Sequence, residues 1–178
     1  MEQIGFLGAY DKKDLLINVA TVLTSAGKSV LIVDATSVQR MRYVVPNIST
    51  NQSFSYVSEY AKIDVALGFM TLNNVAQYLR RNLDYDYILI DSDNPQTMNS
   101  FGIQGMKKIF FVTSYEQYDM LKGAELLRFV QMPIEVVKVI STTNMNDAED
   151  KLLNSKVTNS NIKWSNSRIE FSDLDVDR

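Results

Sequence analysis

Gly8 and Lys12 lie between an apolar strand and an amphipathic helix, the setting in which backbone amides cradle phosphate oxygens. Residues 5–14 read G-F-L-G-A-Y-D-K-K-D. A phosphate loop uses glycines so that its N–H groups can wrap the anion, a Lys for the outer phosphates, and a Ser or Thr hydroxyl for Mg²⁺. Here Gly8 and Lys12 keep that chemistry, whereas Asp11 and Lys13 take the places of the last glycine and the hydroxyl. A carboxylate at Asp11 would repel phosphate by roughly 4 kcal/mol at 4 Å and an effective dielectric of about 20. Lys13 brings positive charge but, while protonated, no lone pair for a metal. Asp34 and Asp91 end apolar runs, where a carboxylate either activates water and coordinates Mg²⁺ or caps the following turn. Loop and carboxylates together form the candidate site: Gly8, Asp11, Lys12, Lys13 and Asp14, with Asp34 and Asp91 as the candidate catalytic groups.

Other chemistries are excluded by composition. The chain has no Cys and no His, which removes disulfides, thiolate nucleophiles, thiolate or imidazole metal sites and the usual general base. Its formal charge of −3 gives no domain-wide footprint for nucleic acid. The short basic groupings (Arg40 and Arg42, Arg80 and Arg81, Lys107 and Lys108) read as solvated surface. Tyrosines 43, 56, 60, 78, 85 and 87 lack basic interleaving and read as core edge and interface. No apolar run approaches the roughly 20 residues that span a bilayer, and the N-terminus lacks a basic leader, so a cytoplasmic protein is expected.

The 178 residues, 46% apolar and 22% charged, suffice for one folded domain. Apolar runs at 3–7, 29–33, 85–90, 109–113 and 134–140 read as strands buried on both faces, with shorter strands at 54–57, 62–69 and 162–164. Helical spacing follows at 15–23, 72–81, 117–130 and 147–153, with Asp11 or Asp14 as cap of the first helix, Gly27 just past its end, and Pro95 ending regular structure. Gly27-Lys28-Ser29 spells the tail of a phosphate-loop motif, but a helix precedes it and a strand follows, so it reads as a turn. The alternation predicts an α/β fold, a mainly parallel sheet with helices on both faces, over residues 1–165, followed by a flexible acidic tail at 166–178. Ligands of such sheets bind beyond the strands' C-terminal ends, where Gly8, Asp34 and Asp91 fall.

The order of these pieces, with A-G-K-S-V-L-I-V-D at 26–34, Y-D-Y-I-L-I-D at 85–91, I-F-F-V-T at 109–113 and V-K-V-I-S-T-T-N at 137–144, resembles the ParA/MinD group of deviant-Walker P-loop ATPases. In its degeneracy it also resembles the TadZ/CpaE branch that positions pilus-assembly machinery. The resemblance implies a doubly wound P-loop NTPase-like fold, a homodimer, and ATP or ADP with Mg²⁺ at the loop. Aligned on the first helix, the family's K-G-G-x-G-K-T-T falls on residues 7–14: Leu7 replaces the signature Lys, and Lys13 replaces the Mg²⁺-binding hydroxyl. Asp34 keeps the first carboxylate of the family's D-x-D, Asp91 corresponds to the Walker B aspartate, and Asn144 matches the region that contacts adenine. The acidic tail differs from the basic amphipathic helix of membrane-binding members, so no autonomous membrane binding is expected.

The expectation is therefore a non-catalytic or weakly nucleotide-binding positioning or scaffold component of a partition, pilus or secretion assembly, with protein partners. No metal ligand set is assigned, and Asp11 or Lys13 is expected to make an internal contact where phosphate would sit. Two alternatives stand beside it. One is an atypical ATPase that uses Lys12, Lys13, Asp34 and Asp91. The other is a receiver-like signalling domain, in which Asp91 and Pro95 reproduce a phosphoacceptor's D-x-x-x-P spacing and Thr113 ends the next strand.

Overall fold

Five apolar runs form the centre of one eight-stranded sheet in the computed structural model, which describes residues 1–46, 55–142 and 146–171. The strands are β1 (Glu2–Leu7), β2 (Val30–Asp34), β3 (Tyr56–Tyr60), β4 (Ile63–Leu67), β5 (Tyr87–Ser92), β6 (Lys108–Ser114), β7 (Ile134–Ser141) and β8 (Ile162–Phe171), in the order β3-β4-β2-β5-β1-β6-β7-β8. All neighbours are parallel except β3, which turns back on β4 through Ala61 and Lys62, both at positive φ. β1 therefore lies in the middle, between β5 and β6. That placement removes the receiver reading, which has no use for an extra strand at the centre of the sheet.

Helices cover both faces. On one, α1 (Lys13–Ser25) sets Leu16 and Ala20 against Ile32, Leu67 and Leu89. On the other, α2 (Leu72–Leu79), α3 (Pro95–Ser100), α4 (Gln117–Leu127) and α5 (Asp147–Lys156) bury Val75, Met98, Met120, Leu126 and Leu153 over Leu31, Ile90 and Phe111. Two apolar layers, one on each side of a sheet of Val, Ile and Leu, are the main source of stability in such a fold.

Three expectations are corrected. Pro95 does not end regular structure. It sits at the first position of α3, where its missing N–H is no loss, and Asn94 caps that helix by accepting from Thr97 N at 3.0 Å. The last strand does not stop at Trp164 but runs to Phe171, so 166–171 belong to the sheet rather than to a tail. The strand expected at 54–57 is β3, Tyr56–Tyr60. Phe54, Asn144 and residues 172–178 lie outside the described residues.

Candidate functional site

The chain leaves β1 at Leu7 and enters α1 at Lys13, and the five residues between them form the loop. Gly8 is at φ 135°, and a Cβ there would lie 2.3 Å from the Val112 carbonyl oxygen on β6, so only glycine lets β1 pass so close to its neighbour. Leu7, at the signature-Lys position, is fully buried in the core rather than presented to a ligand.

Lys12 is the N-cap residue of α1 and is only 2% exposed. Its ammonium donates to the Gly8 carbonyl and, at 3.1 Å, to the Tyr10 carbonyl, and it lies 3.0 Å from Asp91 Oδ1. Two of the three ammonium donors are thus taken by carbonyls. The contact with Asp91 is an ion pair without hydrogen-bond alignment, which leaves Oδ1 a buried acceptor lacking a directed donor. Burial pushes the Asp91 carboxyl up to about 7 against the pull of Lys12, with Asp34 adding repulsion.

Asp11 is folded onto its own helix: Oδ1 accepts from Lys13 N at 3.1 Å, and Oδ2 lies 3.6 Å from Arg40 Nε. The side chain thus supplies the negative charge that the N-terminus of α1 attracts. Lys13 lines the cleft beside Asp11, and its ammonium lies 3.9 Å from the exposed Asp14. The internal contacts at the phosphate position therefore come from Asp11 and Lys12, not from Lys13.

Asp34, at the end of β2, is committed to its own loop. Oδ1 accepts from Thr36 N at 3.1 Å and Thr36 Oγ1 at 2.6 Å, and Oδ2 accepts from Met41 N at 3.1 Å. These bonds hold the turn that leads into the short 3-10 helix Arg40–Tyr43. Asp93 plays a similar part, with Oδ1 accepting from Ser37 N at 2.9 Å and Ser37 Oγ at 3.0 Å.

Around these groups lies a cleft of about 350 Å³ lined by the loop, Asp34, Asp91 and Asp93, by Thr36 and Arg40, and by Tyr118, Lys122 and Glu125 of α4. Gly8 underlies the cleft through its bond to Lys12; Asp14 does not line it. The contribution of α4 was not assigned from sequence, although Tyr118, Lys122 and Glu125 fall at i, i+4 and i+7, a stripe that marks one helical face.

The donor set does not fit the Mg²⁺–nucleotide that the sequence resemblance implies. Asp34 has both oxygens engaged, Asp91 Oδ1 faces an ammonium, and the hydroxyl position holds Lys13. Among the described residues no group of three or more carboxylates is placed to hold a metal ion.

No family profile and no curated protein sequence matches the chain. Solved structures do. A ParA family ATPase from Chlorobium tepidum TLS superposes with a TM-score of 0.60 at 14% identity, covering 99% of this chain and 87% of that one. The pNOB8 ParA bound to nonspecific DNA gives 0.58 at 13% identity, over 89% and 75%. The MinD cell division protein of Aquifex aeolicus gives 0.54 at 14%, over 88% and 78%. With the sheet order, the strand–loop–helix at β1 and the acidic strand ends already in place, the chain has the ParA/MinD-type P-loop NTPase fold.

Proposed function

We propose that this protein is a non-catalytic member of the ParA/MinD fold group that acts as a positioning or scaffold component by binding other proteins. The observation that carries the reading is the state of Lys12. The side chain that would meet phosphate is buried, donates to the Gly8 and Tyr10 carbonyls and lies against the Asp91 carboxylate. Nucleotide would have to break these contacts and displace the Asp11 carboxylate from the Lys13 amide. A net charge of −3 further favours a protein partner over DNA.

Calorimetry with ATP and with ADP, each with and without Mg²⁺, tests the reading. The expected result is no Mg²⁺-dependent micromolar affinity, and such an affinity would overturn it. Steady-state phosphate release is expected at background and unchanged in Lys12→Ala and Asp91→Asn. Release that depends on either side chain favours the hydrolase alternative instead.

A further inference from the structure

The cleft at α1 is closed off along the sheet by a side chain of its own loop. Tyr10 is half-buried and reaches from the loop to the far strands: its hydroxyl donates to Ser141 Oγ of β7 at 3.0 Å, and its ring meets Phe171 of β8 edge-on with centroids 5.9 Å apart. Its backbone is held as well, because its carbonyl accepts from the buried Lys12. Tyr10 lines both the cleft and a second cavity of about 420 Å³, which is bounded by Ser114, Tyr115, Ser141 and Thr142 at the C-terminal ends of β6 and β7. Among the described residues it is the one side chain common to the two.

The opposite flank is closed too. Ser37 is clasped to Asp93, and beyond Thr36 and Ser37 lies a separate cavity toward Gly68. A ligand anchored by its phosphates at the N-terminus of α1 must extend along the strand ends to place anything larger. The way toward β7 is filled by a phenol. The chamber beyond also carries Glu116, Asp119 and Glu149, which disfavour phosphate, so only an uncharged or cationic portion of a ligand would suit it.

We propose that Tyr10 is a specificity-determining wedge that excludes nucleoside di- and triphosphates by dividing the groove they would have to span. The proposal rests on the non-nucleotide reading above and gives it a steric cause separate from loop charge. The test isolates the wedge from that charge. ATP binding is measured by calorimetry without Mg²⁺ in Asp11→Gly, in Asp11→Gly with Tyr10→Gly, and in Asp11→Gly with Tyr10→Phe. Inorganic tripolyphosphate serves as the probe without a nucleoside.

Removing the ring is expected to tighten ATP at least tenfold over Asp11→Gly and to leave tripolyphosphate unchanged, and Tyr10→Phe is expected to give no gain. Equal ATP affinity in all three variants overturns the wedge, as does an equal gain for tripolyphosphate. Circular dichroism and thermal melting check the fold, with Tyr10→Ala replacing the glycine variant if that one melts early. The scaffold reading is judged on the unmodified chain and the wedge on differences among variants, so either can fail without the other.

Discussion

Lys12 shows why residue identity revealed only part of this site. The sequence shows a lysine at the phosphate-loop position, but whether its ammonium faces an open cradle or its own loop depends on where Gly8, Tyr10 and Asp91 are brought by β1, β5 and α1. The same holds for Asp34, whose strand-end place is legible from V-L-I-V-D but whose commitment to Thr36 and Met41 is not. The buried pair makes a sharp prediction. Lys12→Met leaves Asp91 without its counter-charge and is expected to cost roughly 3–5 kcal/mol in urea unfolding at pH 8, whereas Lys12→Met with Asp91→Leu recovers most of it. A double variant no more stable than the single one would mean that the pair is not what the lysine stabilises. Gly8→Ala is expected to cost about 2–4 kcal/mol by the same measurement, since positive φ and the Val112 carbonyl both oppose a Cβ.

At the scale of elements, legibility follows burial. β2, β5, β6 and β7 are nearly all apolar because helices cover both faces of the central sheet, and such runs stand out in a sequence. β8 is an edge strand, mostly exposed, and its pairing with β7 breaks register between Val136 and Lys138, so beyond Trp164 its S-N-S-R-I-E carries no continuous signal and residues from 166 on read as tail. Beside its ladder with β7, this edge is tied to α5 by a polar cluster. Lys138 Nζ, buried on β7, lies 3.1 Å from Asp150 Oδ1 of α5 and 4.6 Å from the Trp164 ring centroid, and also donates to Asn154. Arg168 of β8 reaches Asp150 Oδ2 at 2.9 Å. Burial lowers the affinity of Lys138 for its proton, and Asp150 opposes that effect. Asp150→Ala is therefore expected to destabilise by roughly 3–5 kcal/mol in urea unfolding, more than the removal of an exposed pair such as Lys122–Glu125, which should cost under about 1 kcal/mol. Equal costs for the two would show that the cluster does not anchor α5 and β8.

For the molecule as a whole, the central sheet concentrates buried charge at one point, and this should appear in how its stability depends on pH. The Asp91 carboxyl is raised from 3.8 to about 7, first by burial and then by Asp34, with Lys12 pulling the other way. Between those two values the folded chain holds a proton that the unfolded chain releases, so stability falls as pH rises through the window, by at most about 1.4 kcal/mol per pH unit. The contribution is fully present below the unfolded value near 3.8 and is gone once pH has passed the folded value near 7. Asp91→Asn removes the titration but keeps the shape. Unfolding in urea from pH 4.5 to 8.5 should therefore show the unmodified chain losing stability relative to Asp91→Asn as pH rises to about 7, and then running parallel to it. Titrating groups that do not face Asp91 are common to both chains and cancel in the difference. Parallel curves throughout would mean that Asp91 titrates alike folded and unfolded, and that the Lys12 contact fully offsets the cost of burying the charge. A relative gain of stability with rising pH would mean that the pair is ionised and net favourable, with Lys12 acting as a resident counter-ion in the place of a ligand's cation.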